Sequence, residues 1–175
     1  MILVFVVKFG ICIAIVIICT ILGIKRAKKY EIREHILSDF ITVFNSIEND
    51  IKYMLTSLPD AFEKVRHTLN TNVKDVLGSI SVQMMSGYDM EKCNKKINEE
   101  INNIYELNSY DKEIIYQGIV SLGKADMDSQ INIIANTLAS LSSQLTEANT
   151  EKNKNFKLYR TLGTAVGLML AIVFI

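Results

Sequence analysis

The sequence predicts an all-α membrane protein: a membrane helix at each end and, between them, a cytoplasmic antiparallel bundle of about six helices. Three observations carry this. Apolar residues recur at spacings of three and four through most of the middle, the period of an amphipathic helix. One Pro and eight Gly in 175 residues leave little to interrupt helices, and exclude collagen-like and most disordered classes. Charge is segregated: 19 basic residues balance 19 acidic ones, yet residues 25–33 and 152–160 each carry +4 while 34–151 carries −9. The mean hydropathy of +0.21 beside 22% charged residues is then an average over two apolar ends and a charged middle. Overall balance excludes strong attraction to nucleic acid, while the basic flanks restore contact with an anionic membrane at both ends of the domain.

Residues 1–24 are expected to form a transmembrane helix. The stretch 9–24, FGICIAIVIICTILGI, is uncharged, and apolar residues from Ile2 extend it past 20 residues. That length crosses a hydrocarbon core of about 30 Å. Lys8 is the one charge there, and it reads as a side chain snorkelling to the outer headgroups. A secretory signal is the competing reading. Against it, the basic cluster follows the apolar run and no small-x-small cleavage site stands near Ile24, so a permanent anchor is expected.

Residues 161–175, TLGTAVGLMLAIVFI, carry no charge and are expected to be a short C-terminal transmembrane helix. As a helix they rise about 22 Å, short for a full span unless Leu158 and Tyr159 enter the interface or the bilayer thins. Gly163, Gly167 and Ala171 recur every fourth residue, a stripe that lets another helix approach closely. Gly10 and Ala14 offer a shorter stripe on the first helix. Gly and Ala are also common in membrane helices generally.

Basic residues beside membrane segments stay in the cytoplasm. Lys25, Arg26, Lys28 and Lys29 after the first span, and Lys157 and Arg160 before the last, are read as membrane-flanking anchors; Arg33 is counted with the first group. Both clusters face residues 25–160. The expected topology therefore has both termini outside and 25–160 as the cytoplasmic domain.

Within that domain, Leu37, Phe40, Phe44, Ile47, Ile51, Met54 and Leu58 form one apolar stripe, so an amphipathic helix runs out of the first span. Pro59 ends it, because proline disfavours α geometry in the residue before it. Proline suits the first turn of the next helix, with Ser57 as candidate N-cap. A short helix carries Phe62, Val65 and Leu69, and another carries Val73, Val76, Leu77, Ile80 and Met84, ending near Gly87. Asp89 can cap a fourth, with Met90, Cys93, Ile97, Ile101 and Ile104 inward. A fifth covers about 110–122 with Ile114, Ile115, Ile119 and Leu122 buried, and Gly123 fits the left-handed position after its end. Asp126 caps the last helix. Its apolar residues Met127, Ile131, Ile134, Leu138, Leu141, Leu145 and Ala148 follow a strict four-three alternation, a coiled-coil-grade seam. The expected partner is the chain's own first helix, since 25–57 and 127–160 are rods of about 50 Å by helical rise. An intermolecular coiled coil is the alternative.

Catalytic chemistry is missing. His35 and His67 belong to no ligand spacing such as HExxH and read as solvated. Cys12, Cys19 and Cys93 show no paired spacing for a disulfide or zinc site. Gly78, Gly87, Gly118 and Gly123 are too scattered to cradle a phosphate, and no nucleophile–base pair suggests itself. The expectation is a protein without enzymatic activity, cofactor, metal, nucleic acid or small-molecule substrate.

The order of several short strings is more specific. The long first helix ends in Glu48-x-x-Ile51-x-Tyr53, followed by Leu58-Pro59. Later come Leu122-Gly123-x-x-Asp126-x-x-x-Gln130, Glu147-Ala148, and Lys157-Leu158-Tyr159-Arg160-x-Leu162-Gly163-x-x-x-Gly167-Leu168 running into the terminal apolar segment. In this the chain resembles the stage III sporulation protein AB family of endospore-forming bacteria over nearly its whole length. The KLYRxLG string is the most specific part, and 60–120 match only in helical pattern and length. The resemblance implies a subunit of the mother-cell membrane complex that links mother cell and forespore. It also implies a cytoplasmic domain similar to the inner-membrane platform subunit of type II secretion and type IV pilus machines. The implied partners are the complex's secretion-type ATPase and other channel subunits, and the implied role is a non-catalytic platform that docks the ATPase to the membrane. This is analogy at the level of fold. Leu122, Gly123, Asp126 and Gln130 then have two readings: a plain helix corner, or a partner contact at the tip farthest from the bilayer. A membrane-anchored coiled-coil scaffold without an ATPase partner is the alternative function.

Overall fold

A computed structural model describes the backbone of residues 2–53, 56–86, 89–123 and 127–174. Side chains are described for 28–53, 56–86, 89–123, 129–155 and a few residues of the two chain ends. Among the described residues every regular element is a helix: α1 (Ile2–Tyr53), α2 (Leu58–Arg66), α3 (Val73–Met85), α4 (Met90–Asn102), α5 (Ser109–Leu122) and α6 (Met127–Phe174). The chain divides into two compact units, Met1–Ile32 with Ala148–Ile175, and Arg33–Glu147. No helix among the described residues is long and apolar enough to cross a membrane; most side chains of the apolar ends fall outside them.

The core of the Arg33–Glu147 unit follows from the apolar stripes. Ile36, Leu37, Phe40, Val43, Phe44, Ile47 and Ile51 of α1 are buried, at the three-and-four spacing that puts them on one face. Phe62 and Val65, Leu77 and Ile80, Ile97 and Ile101, Ile115 and Ile119, and Ile134 and Leu141 are the buried side chains of the other helices. Each such side chain contributes about 1.5–3 kcal/mol by leaving water.

Helix ends obey local chemistry, with one departure. Asp89 caps α4 by accepting the Glu91 N–H at 3.0 Å, as expected. Ser57 stands at the α2 N-cap position, but its hydroxyl bonds the Asp60 carboxylate and no backbone N–H. Pro59 has no N–H to offer in that turn. At α5 the cap is Asn108, whose Oδ1 accepts the Asp111 N–H at 2.7 Å while the Asp111 carboxylate accepts the Asn108 N–H at 3.0 Å. That reciprocal pair is a capping box.

Asp111 serves a second purpose. Arg33 Nε donates to Asp111 Oδ2 at 2.8 Å, and Arg33 Nη2 donates to Asp111 Oδ1 at 3.0 Å and to Gln144 Oε1 at 3.1 Å. The three residues are 5%, 0% and 8% exposed. A forked arginine–carboxylate pair therefore joins α1, α5 and α6 inside the unit. This corrects one expectation: Arg33 is not a solvent-facing member of the basic flank but pairs with the buried Asp111.

One layer further along, a methyl group placed on Gly118 of α5 would lie 2.8 Å from Phe44 Cζ and 2.9 Å from Thr137 Cγ2. Only a glycine lets these helices approach so closely. The pairs fix direction: from Arg33 to Phe44, α5 advances from Asp111 to Gly118 while α6 retreats from Gln144 to Thr137. Hence α6 runs antiparallel to α1, as expected, and α5 runs parallel to it. The buried seam of α6 is Ile134, Thr137, Leu141, Gln144 and Ala148, whereas Ile131, Leu138 and Leu145 are half-buried. The seam keeps Ile134, Leu141 and Ala148 and shifts by one position only between them. Thr137 fits against Gly118 and Gln144 reaches Arg33, so two polar residues take the places assigned to leucines.

Replacing Asp111 or Arg33 by alanine is expected to cost about 3–5 kcal/mol, because each change leaves a buried charge alone. The double variant should cost less than the sum of the two. Chemical unfolding followed by circular dichroism measures both. Gly118→Ala is expected to cost about 1–3 kcal/mol through overpacking, readable in the same way; an unchanged transition would remove the close approach.

Candidate functional site

The two ends of the Arg33–Glu147 unit differ in kind. At one end lie Arg33, Asp111 and Gln144. Because α5 runs from Asp111 to Leu122, its far terminus marks the opposite end, where α3 also stops and α2 and α4 begin. There Leu58, Pro59, Met84, Met90, Cys93 and Gly123 line a groove of about 370 Å³. Helix termini cannot bury side chains on all sides, so apolar groups stay open here. Val82 is 67% exposed, and Met85 and Met90 are each 53% exposed. Methionine's flexible, polarizable thioether adapts to varied apolar partners. Cys93 is half-buried, and burial pushes its thiol above the ordinary value. A protonated thiol is a small hydrophobe, not a nucleophile.

The corner residues separate in the structure. Leu122 is fully buried and cannot meet a partner. Gly123 is exposed and lines the groove, but its φ of −67° is ordinary right-handed geometry. The expected left-handed turn is therefore not used. The Gly123 N–H nonetheless reaches the Ile119 carbonyl, and Gln130 Nε2 donates to the Leu122 carbonyl at 3.0 Å, satisfying an acceptor that a helix terminus leaves open. Asp126 lies outside the described residues.

A second groove, of about 320 Å³, separates α5 from α6 beside Gly118, Ser121, Ile133, Asn136, Thr137 and Ser140. It holds no pair of titratable groups in catalytic register. Among the described residues no cluster of His, Cys, Asp and Glu could hold a metal ion. His35 and His67 are exposed, and His67 Nε2 lies 3.5 Å from Glu63. Of the expected anchors, Lys28, Lys29 and Lys157 are exposed. The side chains of Lys25, Arg26 and Arg160 lie outside the described residues, as does whatever surrounds the stripe residues Gly10, Ala14, Gly163, Gly167 and Ala171.

Sequence reasoning missed three features. Arg33 continues the phase of Leu37, Phe40 and Phe44, a signal that a charged residue sits on the buried face. Asn108-x-x-Asp111 has the spacing of a capping box. Gln130 as the partner of Leu122 has no local signature. Gly123→Ala is expected to stabilise the protein by about 0.4–1 kcal/mol, since alanine restricts the unfolded chain and fits the observed φ. Gln130→Ala should cost about 0.5–1.5 kcal/mol. Thermal unfolding of the two variants distinguishes this corner from a glycine-capped one, in which the order of effects would reverse.

Comparison with known proteins agrees with the helical architecture. The family model for stage III sporulation protein AB matches residues 8–175. A curated relative, stage III sporulation protein AB of Bacillus subtilis (strain 168), is 26% identical over 160 residues, covering 91% of this chain and 94% of the relative. A solved structure of a stage III sporulation protein AB superposes with a TM-score of 0.61 at 21% identity, covering 70% of this chain and 98% of that one; at that identity it speaks for the fold. With 168 of 175 residues matched by the family model, the chain belongs to the stage III sporulation protein AB family.

Proposed function

We propose that this protein is a non-catalytic membrane platform subunit of the mother cell–forespore sporulation channel complex, docking a secretion-type ATPase to the membrane apparatus. Family membership supports the sporulation setting. The observation that carries the platform reading is the polarity of the helical unit. The chain enters and leaves it at Arg33 and Glu147, beside the buried Arg33–Asp111–Gln144 group. The other end offers an open methionine-bearing groove. A unit held at one end and adhesive at the other is what a platform needs.

In this reading residues 1–24 and 161–175 are the membrane helices, and 25–160 form the cytoplasmic domain in the mother cell. Lys25, Arg26, Lys28, Lys29, Lys157 and Arg160 sit at the headgroups. The ATPase meets the groove end through Val82, Met85, Met90 and Gly123. The net −9 of residues 34–151 steers a basic partner surface and adds a salt dependence to the encounter.

Co-purification of the full chain with the ATPase tests this. Met85→Asp combined with Met90→Asp is expected to abolish co-purification at low salt while thermal unfolding stays unchanged, because both side chains are exposed. Undiminished capture would remove the groove from docking. No capture by the unsubstituted chain would favour the membrane-anchored scaffold without an ATPase partner.

A further inference from the structure

We propose that the outward faces of α1 over residues 34–50 and of α6 over residues 129–146 dock a second copy of this chain. Neither the groove nor the membrane helices enter into it. Both stretches belong to the Arg33–Glu147 unit.

Exposed charge is missing from these two faces. No Asp, Glu, Lys or Arg occurs among residues 129–146, about five turns of helix. Its outward positions are Asn, Ala, Ser and Thr, with Ala135, Ala139 and Ser142 among them. Between Glu34 and Asp50 of α1 the exposed residues are His35, Ser38, Thr42, Asn45 and Asn49. The nearby carboxylates are engaged: Asp39 accepts from the Thr71 hydroxyl, Glu48 from Lys52 and Asp50 from Lys64. By contrast α2, α3, α4 and α5 expose Lys64, Lys74, Lys92 and Glu113. A solvated surface is ordinarily about a quarter to a third charged. Depletion of charge is what marks the buried centre of a protein interface.

Apolar surface is left over in the same place. Ile41 of α1 and Leu138 and Leu145 of α6 are only half-buried. Arg33 meets Gln144, and Phe44 and Thr137 flank Gly118. In that antiparallel register Ile41 stands level with Leu138. A covering partner would finish their removal from water.

Charge selects the occupant. Residues 34–151 carry −9, so two copies repel wherever their charged helices meet. Contact through the uncharged faces keeps those helices apart, and a basic partner finds no exposed carboxylate there to pair with. The patch on one copy meets the same patch on the other about a two-fold axis. Size agrees. Two helices about 10 Å wide and about 25 Å long present roughly 500 Å² per copy. The pair then covers about 1,000 Å², the least that a specific interface needs. Short Ala, Ser and Thr side chains let such helices pack at the close limit of about 8 Å between axes.

Sedimentation equilibrium of the full chain in density-matched detergent micelles tests this, and the expected mass is that of two chains. Ala135→Glu with Ser142→Glu puts like charges into the contact and is expected to raise the dimer dissociation constant about a hundredfold. Asn45→Glu with Asn49→Glu repeats the test on α1. All four positions are exposed, so the circular dichroism spectra are expected to stay unchanged. The groove variant Met85→Asp with Met90→Asp is expected to remain dimeric, which separates this surface from ATPase docking. A single-chain mass for the unsubstituted protein would overturn the proposal and leave the face to a different partner. A dimer kept by both Glu variants would overturn it by putting self-association on another surface.

Discussion

A buried forked ion pair between Arg33 and Asp111, shared with Gln144, is the constraint on which the helical unit depends. Its members are separated by 78 and 111 residues from Arg33, so it joins helices that nothing local brings together. Taking these charges out of water costs several kcal/mol per ion, and that cost is recovered only in one geometry. Sliding α1 by a turn against α5 or α6 would strand a guanidinium among apolar side chains. Gly118, wedged between Phe44 and Thr137, excludes the same slip sterically. Charge pairing and close packing therefore select one register of α1, α5 and α6.

The remaining helices attach by smaller ties. Asp39 of α1 accepts from the Thr71 N–H at 3.1 Å and hydroxyl at 2.6 Å, before α3 begins. Asp50 pairs with Lys64 of α2 at 2.7 Å. The Ser81 hydroxyl bonds the Pro59 carbonyl at 2.9 Å, and Ser79 bonds Glu100 at 2.7 Å. These contacts are partly exposed, and such bonds are individually weak. The ends of the unit thus have different physical characters: an ion pair near the tether, helix termini with open methionines at the other, and the two-sided glycine contact between them. On the platform reading, the first end holds position while the second adapts to a partner.

Much of this was legible in the sequence, because burial by period needs only local information. The stripe from Leu37 to Ile51, the Asp89 cap and the helix order follow from spacing and turn chemistry alone, and the KLYRxLG string pointed to the family. What was illegible depended on residues far away. Arg33 reads with its basic neighbours because nothing nearby announces Asp111. Spacing alone gives the α6 seam to Leu138 and Leu145 because leucine outranks threonine and glutamine in burial. The space beside Gly118 and the guanidinium at Arg33 reversed that order. Gly123 reads as a left-handed terminus but keeps a right-handed φ, and the Leu122 carbonyl before it is met by a glutamine seven residues on. Apart from the caps at Ser57 and Asn108, whose partners are three residues on, each miss is a polar or small residue whose role is set by a partner on another helix.

The central claim is that the Arg33 group makes α1, α5 and α6 one cooperative body. Native-state hydrogen exchange of the full chain, compared with Arg33→Met, tests it most directly, because amide protection reports the free energy of opening for each segment. The account predicts that residues 36–47, 111–122 and 134–147 lose protection together and by the same free energy. Loss confined to the turns around residue 33, with α6 protection unchanged, would contradict it.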